Sequence, residues 1–168
     1  MTVELNFVFP ESSHIGTVFL DQNRTIAVAE SCTGGLLAAA LSAPEGASGY
    51  FRGGVVVYTE EMKEKLLGVP HFLIENNGVV SDAVARSLAC RVRELCNADV
   101  GIGITGFAGP TGGTEDAPLG TMYIAVASSD HEHDAHVVRL HGSKDREGNR
   151  EMAVHTALAM IEEEVQVK

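Results

Sequence analysis

The sequence predicts an α/β fold in three layers, α/β/α, around a mixed, mostly parallel sheet. Over 168 residues, short apolar runs alternate with segments of helical periodicity. The runs at 55–57 and 124–127 are continuously apolar, which is typical of strands that are covered on both faces. Helices are therefore expected on each side of the sheet.

These patterns predict the individual elements. We expect strands over 25–30, 53–58, 99–105, 120–128 and 133–141, and helices over 14–23, 34–42, 60–67, 82–97 and 145–165. Ser31 or Thr33 is placed to cap the second helix, and the Gly- and Pro-rich segment 107–118 predicts a long irregular loop. Neither an internal repeat nor a long linker divides residues 1–168, so a single domain is expected.

Composition narrows the function. The formal net charge of −11 argues against a general nucleic-acid binder, because duplex affinity depends largely on Lys and Arg. The first twenty residues do not resemble a secretory signal. A membrane-spanning helix needs about 18 consecutive apolar residues, and no apolar stretch of the sequence is that long. The cysteines Cys32, Cys90 and Cys96 form no Cys-x-x-Cys pair and are interpreted as reduced thiols. A cytoplasmic protein that does not bind membranes is expected.

Two conspicuous motifs are interpreted as structural. Residues 101–106 match Gly-x-Gly-x-x-Gly, but the first two glycines fall inside a predicted strand, and no acidic residue follows about 20 positions on. The histidines of segment 130–141 resemble metal ligands, yet they fall at a charged turn between two strands. These residues are His131, His133, His136 and His141, with Asp130, Glu132 and Asp134. Neither a dinucleotide site nor a metal site is predicted.

Ser31 is the first candidate for chemistry. It follows a β-rich run and precedes Gly34 and Gly35, where a helix is predicted to begin. Backbone N–H groups at a helix N-terminus favour negative charge and could stabilise an oxyanion. Two alternatives stay open, because Ser31 could be only an N-cap and Cys32 is a rival nucleophile.

A serine nucleophile needs a base, and the residues beside the strand at 53–58 offer Tyr58, Lys63 and Lys65. A lysine serves as a base when burial lowers its pKa and populates the neutral amine. The alternative is that Lys63 is a solvated residue on a surface helix.

Residues 105–113 follow the strand at 99–105, where open α/β sheets bind ligands. The glycines of that segment allow amide groups to converge on an anion.

Three sequence segments resemble those of a known family. They are residues 29–35 (AESCTGG), residues 51–58 (FRGGVVVY) with Lys63, and residues 105–110 (TGFAGP) followed by Gly112 and Gly113. Shorter matches lie at 67–69, 78–81, 118–121 and 145–146, with Arg150 after them. In this order and separation, over about residues 24–162, the chain resembles the CinA C-terminal family, the nicotinamide-nucleotide amidases.

The resemblance implies hydrolysis of the carboxamide of nicotinamide mononucleotide (NMN) to nicotinate mononucleotide and ammonia. It further implies a Ser-Lys mechanism without metal or cofactor, in a homodimer or larger homo-oligomer. Ser31 would be the nucleophile, Lys63 its base, and Tyr58 the residue that positions or polarises the pair. Thr105 and the amides of Gly34 and Gly35 would line the acyl pocket or stabilise the oxyanion.

The same resemblance suggests how the nucleotide phosphate is bound. Either Arg146 or Arg150 would bind it, together with amides of the loop residues Gly106, Ala108, Gly109, Gly112 and Gly113. Two positions depart from the family pattern. Residues 142–146 read GSKDR where Gly-Asp-Arg is usual, and Glu60 stands where Asn is common.

Many relatives carry an N-terminal pyrophosphatase-like domain, for which this chain has no room, so we expect a stand-alone amidase. Two other functions stay open. One is a non-catalytic, nucleotide-binding competence/damage-inducible accessory protein. The other is a hydrolase that acts on a different amide.

Overall fold

The computed structural model describes residues 9–129, 135–143 and 145–166. The helices are α1 (Glu11–Asp21), α2 (Leu36–Ser42), α3 (Glu60–Leu67), α4 (His71–Asn77), α5 (Asp82–Leu95) and α6 (Arg146–Gln166). The strands are β1 (Ile26–Glu30), β2 (Phe51–Val56), β3 (Val100–Gly106), β4 (Thr121–Ser128) and β5 (His136–His141). A short 3₁₀ helix spans Ala47–Gly49. These bounds confirm the predicted strands and helices apart from shifts at their ends.

The strands form one sheet in the order β2-β1-β3-β4-β5. β1 pairs in parallel with both β2 and β3, whereas β4 is antiparallel to its neighbours β3 and β5. Four of the five described strands therefore run in one direction, and the mixed, mostly parallel sheet is confirmed. The carboxyl ends of the adjacent strands β1 and β3 lie side by side at one edge of the sheet.

Helices cover both faces of the sheet, as the side chains of β1 show, because they alternate between the two faces. Ile26 and Val28 pack into a core with α1, α2 and α6, while Ala27 and Ala29 pack on the opposite face against α3, α4 and α5. This arrangement is the predicted three-layer architecture. Within the described residues, no helix is long and apolar enough to cross a membrane.

Two elements differ from the sequence-based expectation. β2 is an edge strand whose residues alternate between half-buried and exposed, rather than a strand buried on both faces. Full burial begins only after it, at Val57. α4 was not predicted, because its seven residues after Pro70 are too short for a clear helical periodicity.

The glycines of the Gly-x-Gly-x-x-Gly motif have a packing role. Gly101 and Gly103 lie in β3 directly beneath α5, where an added Cβ would collide with the carbonyl oxygens of Ala89 and Ala85. The motif lets a helix approach the sheet closely, which supports the interpretation that it is not a dinucleotide fingerprint.

Candidate active site

The loop after β1, which we call the nucleophile loop (residues 31–35), is held by Glu30. The Glu30 side chain is 1% exposed, and its carboxylate accepts hydrogen bonds from the backbone N–H groups of Gly35, Leu37 and Ala38 at 3.2, 3.1 and 2.7 Å. This carboxylate at the start of α2 is favoured by the helix dipole. The prediction that Ser31 or Thr33 caps α2 is wrong, because Glu30 takes these N–H groups and Gly35 occupies the N-cap position without a side-chain bond.

Ser31 and Lys63 lie in direct contact. Lys63 Nζ is 3.0 Å from Ser31 Oγ and donates a second hydrogen bond to the carbonyl oxygen of Val57 at 2.8 Å. The two side chains are 6% and 1% exposed, so the open alternative of a solvated Lys63 is excluded. Thr59 begins α3 by accepting from the N–H of Met62, which places Lys63 on the inner face of the first turn.

The surroundings shift the Lys63 amine toward its neutral form. Burial lowers the pKa of Lys63 to about 8, against smaller opposing effects of Cys32 and Glu60. Within the described residues, Lys63 has no carboxylate at ion-pair distance. Burial raises the pKa of Cys32 to about 11, so this rival nucleophile is a protonated thiol at neutral pH. The Lys63 amine is thus in hydrogen-bond contact with the Ser31 hydroxyl, while the neighbouring thiol is protonated.

A cavity of about 250 Å³ opens onto this pair. Its lining includes eight of the residues predicted from the sequence, which are Ser31, Tyr58, Lys63, Thr105, Gly106, Ala108, Gly109 and Arg146. Their segments follow three neighbouring strands of the sheet and the start of α6, so the topology brings together residues that are distant in sequence. Thr105 Oγ1, which is buried, donates to the carbonyl oxygen of Val79 at 2.8 Å.

Arg146 and Tyr58 lie together at the cavity. Arg146 is the first residue of α6 and donates to the Tyr58 hydroxyl and to the carbonyl oxygen of Gly109, both at 2.6 Å. Tyr58 is 55% exposed, and its hydroxyl contacts Arg146 rather than Lys63 or Ser31. Arg146 thus presents a positive charge beside Ser31 and Lys63, without a bonded carboxylate among the described residues.

Some of the predicted site residues lie outside this cavity. The N–H of Gly34 donates to the carbonyl oxygen of Ser31, and that of Gly35 to Glu30, so these amides are engaged within the loop. Arg150 donates to the carbonyl oxygen of Thr33 at 2.9 Å and forms an ion pair with Glu147. Gly112 and Gly113 line a neighbouring groove instead.

Several lining residues were not singled out from the sequence. Val79, Val80 and Phe107 form apolar walls of the cavity. They lie in sequence segments that match the family, but nothing in their residue types indicates that they bind a ligand. Glu30 could have been found, because an acid at the end of an otherwise apolar strand needs a buried partner.

In the described part of the chain, the possible metal ligands do not form the arrangement that a metal ion needs. Within the residues that the structure describes, no group of three or more His, Cys, Asp or Glu side chains is arranged to hold a metal ion. His136 and His141 lie on β5, whereas His131 and His133, with the acidic residues at 130, 132 and 134, lie outside the described residues.

Comparison with known proteins gives consistent similarities. The family model of the CinA C-terminal domain matches residues 10–165. CinA-like proteins of Koribacter versatilis and Synechocystis are 50% and 46% identical over 88% and 82% of this chain. The matched regions make up 35% and 32% of those proteins, so the chain spans about a third of the length of these curated relatives.

Solved structures agree with the fold. The competence/damage inducible protein CihA from Agrobacterium tumefaciens superposes with a TM-score of 0.88 at 30% identity, covering 96% of this chain and 97% of that one. A CinA superfamily protein from Escherichia coli gives 0.86 at 32% identity, covering 96% and 92%.

Proposed function

This chain belongs to the CinA C-terminal domain family, and from that premise we propose that it is an amidase that hydrolyses NMN. The products would be nicotinate mononucleotide and ammonia. The observation that carries the proposal is the buried pair of Ser31 Oγ and Lys63 Nζ, 3.0 Å apart in the wall of a cavity. A hydroxyl beside a buried amine with a lowered pKa is the arrangement that an activated serine requires.

The chemistry follows from this pair. The neutral Lys63 amine accepts the proton of the Ser31 hydroxyl as Oγ bonds to the carboxamide carbon, and the carbonyl oxygen becomes an oxyanion. The resulting Lys63 ammonium then gives its proton to the departing amide nitrogen, which leaves as ammonia when the C–N bond breaks. A water molecule hydrolyses the acyl-enzyme and regenerates Ser31, with Lys63 again serving as base.

The cavity's size and charge support a nucleotide amide as the substrate. At about 250 Å³ it is smaller than the about 300–1,000 Å³ typical of pockets for drug-sized ligands. It therefore suits a carboxamide-bearing ring, with the remainder of the substrate outside. Arg146 lies beside it, and a guanidinium binds a phosphate by charge-assisted hydrogen bonds.

Ammonia release from a panel of NMN, nicotinamide, nicotinamide riboside and NAD tests the proposal. We expect release from NMN and much less from nicotinamide, because only the nucleotide carries the phosphate that Arg146 would bind. A pure, folded protein that releases no ammonia from any of the four would refute it. If the protein binds NMN by calorimetry without turnover, a nucleotide-binding accessory role replaces the amidase. A homo-oligomeric state and a cytoplasmic location stay predictions.

A further inference from the structure

Three consecutive carbonyl groups hold the start of the glycine-rich loop (residues 107–118). The carbonyl oxygen of Phe107 accepts from the backbone N–H of Gly120 at 2.7 Å. The next oxygen, of Ala108, accepts from Asn149 Nδ2 at 3.0 Å, and that of Gly109 accepts from Arg146 at 2.6 Å. These bonds tie the loop to Gly120, which precedes β4, and to α6. The N–H of Phe107 adds a bond in the other direction, to the carbonyl oxygen of Thr121 at 2.9 Å.

This pattern leaves two adjacent donors without a partner. In a trans peptide the N–H points away from the carbonyl of the same peptide unit, so the N–H of Gly109 points away from Asn149 and that of Ala108 away from Gly120. Among the described residues, neither N–H donates to a protein acceptor. Both residues line the cavity that holds Ser31. Two neighbouring amides in such a position suit an oxyanion.

Asn149 is fixed in the orientation that this role needs. It is 2% exposed and lies on the first turn of α6, outside the cavity lining. On its other side the chain approaches closely at Gly142, where an added Cβ would collide with Asn149 Oδ1. The carboxamide is thus held between Gly142 and Ala108, and its amide group faces the Ala108 carbonyl.

We infer that the N–H groups of Ala108 and Gly109 form the oxyanion hole and that Asn149 is a positioning residue that orients them. This inference rests on the proposed amidase function, and it replaces the engaged amides of Gly34 and Gly35 as oxyanion donors. Asn149 acts through the Ala108–Gly109 peptide, which its hydrogen bond holds in one orientation. Without that bond the peptide rotates more freely, and the donor at Gly109 is no longer directed at the developing charge.

The test compares Asn149→Leu, which keeps the side-chain size but removes the donor, with Gln22→Ala. Gln22 Nε2 donates to the carbonyl oxygen of Val165 at 2.8 Å, so the control removes the same type of bond at the far end of α6. Loss of one oxyanion donor typically costs about 10²–10³ in rate. We expect kcat on NMN to fall about 10²-fold in Asn149→Leu with KM within about twofold, and Gln22→Ala to match the wild type.

A second readout does not depend on the substrate assignment. Pyridine-3-boronic acid forms a tetrahedral adduct when Ser31 Oγ bonds to its boron, and one boron hydroxyl then occupies the oxyanion position. Calorimetry should show boronate binding weakened about 10²-fold in Asn149→Leu and nicotinate mononucleotide binding unchanged. If Asn149→Leu does not fold, Asn149→Ser, which is smaller and still polar, takes its place.

The outcomes separate the two proposals. Unchanged kcat and boronate affinity in the folded variant would overturn the oxyanion assignment, as would an equal loss of boronate and product affinity, which would show a merely structural role. If the wild type binds the boronate but does not turn over NMN, the substrate assignment fails while the oxyanion hole is still tested. Wild-type protein that neither forms the boronate adduct nor releases ammonia from NMN overturns both.

Discussion

The nucleophile loop and the glycine-rich loop leave the carboxyl ends of two neighbouring parallel strands, yet they are held in opposite ways. In the nucleophile loop a buried carboxylate, Glu30, accepts from the backbone N–H groups at the start of α2. In the glycine-rich loop, donors from Gly120 and from α6 bind three consecutive backbone carbonyls. In the first loop the N–H groups of Gly34 and Gly35 donate within their own segment, whereas in the second those of Ala108 and Gly109 donate to no acceptor among the described residues.

The difference matches what each loop would provide under the proposed mechanism. Under the proposed mechanism the nucleophile has to be held at one point, and the hydrogen bonds of Gly34 and Gly35 hold the backbone beside Ser31. An oxyanion has to be met by donors that are already oriented, which requires amides without protein partners. A glycine pair next to a serine is therefore not enough to locate an oxyanion hole, because the acid before the serine can occupy the same N–H groups.

The largest expected effect comes from removing the hydroxyl that the nucleophile loop positions. Ser31→Ala should lower kcat on NMN by about 10⁴-fold or more, since loss of a catalytic serine removes the covalent pathway. Cys32→Ala is the matched control, because Cys32 is the adjacent buried side chain in the same cavity. Steady-state ammonia release measures both. A larger loss in Cys32→Ala than in Ser31→Ala would assign the nucleophile to the thiol.

Removing the base should have the next largest effect. Lys63→Met keeps the length of the side chain without its amine, and loss of a general base typically costs about 10²–10⁴ in rate. Lys65→Met is the control, because Lys65 lies on the same helix but is exposed and paired with Glu61. Single-turnover ammonia release should fall only in Lys63→Met. Equal losses in the two variants would show that the helix, rather than the amine, matters.

The nucleophile loop can also be disturbed through its cap. Glu30→Gln replaces one of the two acceptor oxygens by an NH₂ group that faces backbone N–H donors, so we expect a loss of about 1–3 kcal/mol in the free energy of unfolding. Denaturant titration measures it. Glu45→Gln, at an exposed turn, removes the same charge without a buried bond and should change stability by less than about 0.5 kcal/mol. Equal effects would mean that the cap does not hold this loop.

The sequence predicted the fold better than it predicted the contacts of the site. Apolar runs identified all five described strands, because burial on a sheet face leaves a local pattern. The contacts that build the site are not local. Asn149 and Ala108 are 41 residues apart, and Arg146 and Tyr58 are 88 apart. No periodicity encodes such pairs, and the pairing of Ser31 with Lys63 came from the resemblance to a family rather than from a pattern.

The pH dependence sharpens the role of Lys63 in the comparison. The base must be neutral, and the pKa of Lys63 is about 8, so kcat/KM should rise about tenfold per pH unit below that value and level off above it. The sign follows from the amine, which loses its proton as pH rises. Measuring kcat/KM from pH 6 to 10 gives the rising limb of this profile, where the rate increases with pH. A profile that is flat over this range, or that falls, would contradict a neutral lysine base.

We expect the smallest effect from a change at Glu60, which should shift the pH profile of kcat/KM. Its negative charge, on the first turn of α3, raises the pKa of Lys63 by favouring the ammonium form. Glu60→Asn removes that charge, so the pKa of Lys63 falls and the rising limb of kcat/KM moves to lower pH. Glu75 lines the same groove as Glu60, Gly112 and Gly113, but its charge does not affect the pKa of Lys63. The kcat/KM profile of Glu75→Gln should therefore match that of the wild type. A limb that stays in place in Glu60→Asn would show that the titrating group does not sense the charge of Glu60 and is therefore not the Lys63 amine.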